Sequence, residues 1–205
     1  MTAAKEYFDY DRIIELLGEL GRRLESQGIR AEMFVVGGSA MALAYNRERL
    51  TKDIDAVFEP KTVIYVEASH IAIEQGIPKD WLNDAVKGLL PDHPDTKALT
   101  IYATQGISVS IASPEFIFAM KAAAARVEQD TEDIKLLAQI LGITTSREAL
   151  DLVERFYNRA RILPKTQFIL QEMFESNYAE LRNAGITDHT MDGNSINSGH
   201  SEPLP

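Results

Sequence analysis

Residues 35–57 read VVGGSAMALAYNRERLTKDIDAV, and the order of apolar, glycine and acidic residues in this stretch decides the fold. The run EMFVV, ending at Val36, has the composition of a short buried strand. Gly37 and Gly38 let the backbone turn sharply with its amides open to a ligand, and Ser39 stands where a helix reaching about Tyr45 begins. KDIDAVF then alternates with period two, which puts Asp53 and Asp55 on one face of a strand, about 7 Å apart, and turns Ile54 and Ala56 to the core. A glycine pair before a helix is by itself more often a tight turn than a site, and an isolated Asp-x-Asp is more often a solvated edge. Joined across thirteen residues in the order strand, helix, strand, they describe a seat for phosphate oxygens facing two carboxylates that can share a hard divalent cation. No Gly-Lys-Ser/Thr follows, so this is not a P-loop, and the third glycine of the dinucleotide fingerprint is missing. The calcium loop of EF-hands also starts Asp-x-Asp, but its glycine and terminal glutamate are absent here.

Outward from this stretch, Ile13, Leu17, Leu20 and Leu24 recur at three and four residues and Gly28 follows as a stop, predicting a helix from about Asp9 to Glu25. A second helix is expected over residues 62–75, and Pro78 suits the first turn of a third through KDWLNDAVKGLL. ALTIYA and ISVSI bracket Thr104-Gln105-Gly106 as a hairpin. Thereafter the pattern is helical. Pro114 opens PEFIFAMKAAAARV, Thr131 opens TEDIKLLAQIL, Thr145 with Glu148 forms a capping box, and a last helix runs from about Lys165 to Ala184. Strands are thus confined to residues 31–112, which predicts an α+β fold: a core over 1–112, a helical region over 113–185 packed on it, and a polar tail, 186–205, with too little to bury to be ordered.

The chain has 205 residues, the size of one domain with a helical appendage. No apolar run is long enough to span a bilayer and MTAAKEYFDYDR lacks a signal core, so a cytoplasmic protein with no membrane partner is expected. With no cysteine, thiolate nucleophiles and zinc–thiolate sites are excluded, and His70, His93, His189 and His200 have no ligand spacing. A net charge of −10 repels nucleic acid on average, so such a partner would need a local basic patch or a bridging metal.

The constellation Val36, Gly37-Gly38-Ser39, thirteen residues, Asp53-Ile54-Asp55 resembles the motif of the nucleotidyltransferase superfamily related to DNA polymerase β. RERLTKDIDAV, WLNDAVKGLL and SPEFIFAMKAAAARVEQDTEDIKLLAQILG are similar to a bacterial branch of minimal nucleotidyltransferases near the AbiEii/MenT toxins. The resemblance extends over residues 9 to about 180 and implies a small mixed sheet with flanking helices. It also implies roles. Gly37, Gly38 and Ser39 would seat the phosphates of a nucleoside triphosphate, Asp53 and Asp55 would ligate Mg2+ or Mn2+, Lys121 would reach the triphosphate, and Asp133 matches a downstream acidic position. One departure stands out. Many members carry a third carboxylate on a following strand, where this chain has Ser108 and Ser110; unless Asp133 substitutes, turnover should be slow.

Each helical residue also has a plainer reading. Lys121 can snorkel from an apolar stripe, and an acid at position 133 is favoured by the helix dipole. Arg49, with Arg47 and Lys52, either steers a triphosphate or solvates a loop. RFYNRARILPK carries Arg155, Arg159, Arg161 and Lys165 with Phe156 and Tyr157 and no acid. That is either a grip for acceptor nucleic acid or a helix end with basic residues and buried aromatics.

The resemblance thus implies transfer of a nucleoside monophosphate from an NTP to an acceptor hydroxyl, with tRNA 3′ ends as acceptor and a role as toxin with a cognate antitoxin protein. Two rivals remain: adenylylation of a protein or a small molecule such as an antibiotic, and a degenerate module that binds nucleotide without turnover.

Overall fold

A computed structural model describes residues 7–183 and, for 127–128 and 176–183, the backbone alone. The tail expected over 186–205 lies outside the described residues. Helix α1, Tyr10–Ser26, starts where the Asp9 side chain accepts from the Arg12 amide at 2.8 Å. Its apolar stripe buries Leu16, Leu17, Leu20 and Leu24 completely, each contributing about 1.5–3 kcal/mol. Strand β1 is Ala31–Val35, and α2, Gly37–Ala40, continues as a π-helical turn over Met41–Tyr45. Strand β2, Ile54–Glu59, leads to α3, Lys61–Gln75. The short β3, Leu82–Asn83, precedes the hairpin of β4, Leu99–Ala103, and β5, Ile107–Ile111. Four helices follow: α4 Pro114–Ala124, α5 Val127–Leu141, α6 Ser146–Phe156 and α7 Pro164–Asn183. The expected capping box of Thr145 and Glu148 opens α6.

The strands form one mixed sheet in the order β3-β2-β1-β5-β4. β1 runs antiparallel to β2 and parallel to β5, β2 is parallel to β3, and β4 is antiparallel to β5. The fold is α+β, as the sequence pattern predicts. Period-two alternation divides the sheet into two faces. Ala31, Met33, Val35, Ile54, Ala56, Phe58, Ile107, Val109 and Ile111 are buried on the face covered by α1 and α3. There α1 presses so closely on the hairpin that a Cβ on Gly106 would stand 2.0 Å from the Gly21 carbonyl. The other face carries Asp55, Val57, Phe34, Ser108 and Ser110, and α4 is seated on it through Phe116.

Two expected elements differ. KDWLNDAVKGLL is not a helix but a turn, β3 and a 3-10 turn over Ala85–Leu89. Its backbone instead completes the open edge of β2: the Ile54 amide donates to the Trp81 carbonyl at 2.6 Å, and the fully buried Trp81 donates its indole N–H to the Ala68 carbonyl. Thr131 does not open a helix, because Ala125 ends α4 in the left-handed region at φ 52 and α5 starts two residues later, leaving Thr131 and Asp133 in its second turn. Among the described residues no helix is long and apolar enough to cross a membrane.

Candidate active site

The glycine turn and the acidic strand meet through the backbone. The Val36 amide donates to the Asp55 carbonyl at 2.9 Å, which sets the turn beside the strand. Gly37 has φ 64, and a Cβ there would stand 3.1 Å from Asp55 Oδ2. Only a residue without a side chain lets the turn approach the carboxylate in this way. Asp53 lies at the bend just before β2, where the Thr51 hydroxyl donates to its carbonyl at 3.0 Å. Asn83, paired with Asp55 across β3, donates Nδ2 to Asp53 Oδ2 at 3.2 Å.

Both carboxyls are held above the usual aspartate range. For Asp53 the causes are burial and then the charge of Asp55, which outweigh the Asn83 hydrogen bond. For Asp55 burial outweighs Asn83 and the attraction of Arg126 and Lys121. Two half-buried carboxylates side by side suit a hard divalent cation. Such an ion takes oxygen ligands and completes its shell with water and phosphate. Among the described residues no third acid or histidine gathers with them, and a two-carboxylate donor set leaves that room.

Asp53 and Asp55 open on a cleft of about 340 Å³ lined also by Gly37, Asn83, Lys121 and Arg126, with Val86, Leu89, Ile117 and Met120 as an apolar wall. Behind it runs an alternating string of charges. Lys121 Nζ is 2.6 Å from Asp130 Oδ1 and 2.8 Å from Asp133 Oδ2; Arg126 Nε is 3.2 Å from Asp130 Oδ2, and Arg49 Nη2 is 3.0 Å from Asp133 Oδ2. Asp130 and Asp133 are 3% and 2% exposed. Asp133 Oδ2 accepts no properly directed hydrogen bond, so two cations hold it by charge alone.

The structure therefore brings Gly37, Asp53, Asp55 and Lys121 to one cleft and separates others from it. Ser39 is 1% exposed and its hydroxyl donates to the Val36 carbonyl at 3.0 Å, so that hydroxyl tightens the turn instead of facing a phosphate. Gly38 packs on Thr51, where a Cβ would meet Oγ1 at 3.1 Å. Arg49 is engaged with Asp133 and does not line the cleft. Asp133 stands behind Lys121, paired with two cations, and is not presented as a base; its place in the second turn of α5 also removes it from the dipole-favoured first turn. Lys121 is 5% exposed between two carboxylates, which rules out snorkelling to solvent. Ser110 shares a hydrogen bond of 3.0 Å with Thr100, and Phe34 lies between it and β2.

The basic stretch is free of acid only in sequence. Asp92 takes Arg161 at 2.8 Å, and Glu154 lies 3.6 Å from Arg159. Phe156 stacks edge-on against Phe116, and Tyr157 is buried with its hydroxyl donating to the Leu89 carbonyl at 2.7 Å, so neither ring is offered to a base. All four cations, Arg155, Arg159, Arg161 and Lys165, are exposed. Three residues of the site region escaped the sequence reading: Asn83, Arg126 and Asp130. The spacing of Arg126 and Asp130, four apart on a helix, was the one available signal.

A crystal structure of an antigenic nucleotidyltransferase-like protein from Paracoccidioides brasiliensis is similar over 87% of this chain and 94% of that one, at 14% identity and a TM-score of 0.48. No curated protein matches the chain. Residues 11–160, from α1 through α6 and so across every cleft-lining residue, match the family described as "Nucleotidyltransferase of unknown function (DUF6036)". That match covers most of the chain, which belongs to this nucleotidyltransferase family.

Proposed function

We propose that the chain is a magnesium- or manganese-dependent nucleotidyltransferase that moves a nucleoside monophosphate from an NTP to an acceptor hydroxyl. One observation carries this reading: Asp53 and Asp55, adjacent and half-buried, face Lys121 and Arg126 across a cleft entered beside the Gly37 turn. Asp53 and Asp55 would hold the divalent cation, which when bound offsets charge on the phosphates. In the reaction the acceptor oxygen forms a bond to the α-phosphorus while the bond to the bridging oxygen of the β-phosphate breaks, in line, and pyrophosphate leaves. Asn83 fixes the rotamer of Asp53 through its hydrogen bond. Lys121 and Arg126 supply positive charge for the polyphosphate end, and the apolar wall of Val86, Leu89 and Met120 keeps that side of the cleft dry. No carboxylate stands at Ser108 or Ser110, so the acceptor proton passes to solvent and turnover is slow.

For the acceptor, the similarity of the sequence motifs to AbiEii/MenT-type enzymes supports a tRNA 3′ end, with the chain as toxin and a cognate antitoxin as partner. The second reading, adenylylation of a protein or small molecule, is favoured by the acids Glu154 and Asp92 beside Arg159 and Arg161, which partly neutralise the basic stretch that would grip tRNA. The test is incubation with each labelled NTP, magnesium or manganese, and either tRNA or cell lysate, with and without ribonuclease. Label in tRNA supports the first acceptor, and label in protein that survives ribonuclease supports the second. Absence of any transfer, with NTP bound, leaves the non-catalytic module.

A further inference from the structure

We propose that Arg126 is an anion-contacting residue of the cleft and that Asp130 is the positioning residue that delivers it together with Lys121, the ligand being the polyphosphate of the NTP. This inference rests on the nucleotide reading of the same cleft.

The corner between α4 and α5 is built around Arg126. Ala125 occupies the left-handed region at φ 52, which a residue with a Cβ rarely adopts, and its amide donates back to the Lys121 and Ala122 carbonyls. The chain thereby turns abruptly and sets Arg126 on the wall of the cleft with 57% of its side chain exposed. Asp130 closes the corner from α5 twice. Its amide donates to the Arg126 carbonyl at 2.9 Å and its Oδ2 takes Arg126 Nε at 3.2 Å, while its Oδ1 accepts from Lys121 at 2.6 Å. One buried carboxylate thus spaces two cations of the cleft.

Among the described residues Arg49, Lys121 and Arg126 form ion pairs with Asp130 and Asp133, and Lys121 and Arg126 also line the cleft opposite Asp53 and Asp55. Lys121 is buried between its two carboxylates, whereas Arg126 stands exposed on the cleft wall. Asp130 uses Nε of that side chain, and among the described residues nothing else takes its terminal nitrogens. A planar guanidinium with free terminal N–H groups matches phosphate oxygens as a fork. Lys121, boxed by two carboxylates, is less free to meet an arriving anion. With Asp53 and Asp55 at the other side of the cleft, a polyphosphate spanning the two sides has a cation at each end: the divalent ion on the aspartates and the guanidinium opposite.

The test uses the full chain and inorganic triphosphate in magnesium buffer, titrated by calorimetry, beside steady-state kinetics with NTP. Arg126→Gln should weaken triphosphate binding about tenfold or more and raise the KM for NTP with little change in melting, and Arg126→Lys should recover part of the loss. Asp130→Asn should weaken binding by a similar factor, and the double variant should lose less than the sum of the two single losses, since part of the Asp130 effect acts through the Arg126 contact. Wild-type triphosphate affinity in Arg126→Gln overturns the contact. A merely structural Asp130 predicts a lowered Tm with unchanged triphosphate affinity in Asp130→Asn, and that result overturns its positioning role. If the wild-type chain itself binds no triphosphate, the nucleotide reading of the cleft fails and this inference with it; if it binds and only the variants are indifferent, this inference alone fails.

Discussion

Phe34 on β1 and Phe116 on α4 meet edge to face with ring centroids 5.5 Å apart, and this contact seats the helix that carries Lys121 over the sheet that carries Asp55. Phe156 meets the same Phe116 ring at 5.5 Å, so one side chain ties sheet, α4 and α6. Phe116→Ala should cost about 3–5 kcal/mol in denaturant unfolding. It should also reduce nucleotide transfer by more than the unfolded fraction explains. A loss confined to stability, with full activity of the folded protein, would show that α4 keeps its position without the ring.

Gly37→Ala tests the approach of the turn to the strand. The left-handed backbone alone costs a residue with a Cβ about 1–2 kcal/mol, and the new atom would stand 3.1 Å from Asp55 Oδ2. The expected result is a Tm lower by a few degrees together with loss of magnesium-dependent transfer. Retained activity at the lower Tm would mean that the turn shifts without disturbing the carboxylate.

Asp55→Asn separates a binding site from a structural acid by the sign of its effect on stability. The Asp53 and Asp55 carboxyls are raised in the folded chain, so as pH falls the folded state takes up protons before the unfolded state does. Above their folded pKa values both are charged and the folded state bears the cost of burying them. Below the ordinary aspartate value of about 3.9 both states are protonated and the cost is gone. Without divalent ions the variant should therefore melt above wild type at neutral pH, by about 1–3 °C once solvent screening is allowed for. That gap should close on acidification. Magnesium should raise the wild-type Tm and leave the variant's unchanged, and transfer should be abolished. A variant less stable than wild type at pH 7 would contradict the raised carboxyls.

The triple variant Arg155→Gln, Arg159→Gln, Arg161→Gln addresses the acceptor. Because Arg161 is held by Asp92 and Arg159 lies beside Glu154, the salt slope of its tRNA capture should fall by no more than about one unit, the share of Arg155. Measured binding across a salt series checks this. A slope reduced by about 2–3 units would restore these arginines as a phosphate-gripping surface.

What was legible in the sequence was local. The strand, glycine turn, helix and acidic strand are neighbours in the chain, and alternation alone placed Asp53 and Asp55 toward one side and Ile54 toward the core. What was not legible depended on partners far along the chain. Asp92, 69 positions before Arg161, converts an apparently free basic run into a paired one. KDWLNDAVKGLL carries helical apolar spacing, yet the unpaired edge of β2 captured its backbone and delivered Asn83 to Asp53. Ser39 looked like a phosphate ligand by position, but its hydroxyl found the Val36 carbonyl three residues back. Asp133 reads as a dipole-favoured acid only if a helix starts at Thr131, but α5 starts at Val127, four residues earlier.

The parallel pairing of β1 with β5 bears on how the chain reaches this structure. Ala31 is paired with Ile107, so the centre of the sheet closes a loop of roughly 76 residues, and such distant pairings slow folding because the loop must be closed before its contacts form. During synthesis α1, β1 and β2 emerge long before β5, and β1 presents one bare edge until the hairpin arrives. Nascent chains halted before residue 107 should expose that edge and associate, whereas chains released after residue 111 should not; pulse-labelled hydrogen exchange on stalled and released chains would follow β1 protection appearing only once β5 is free to dock.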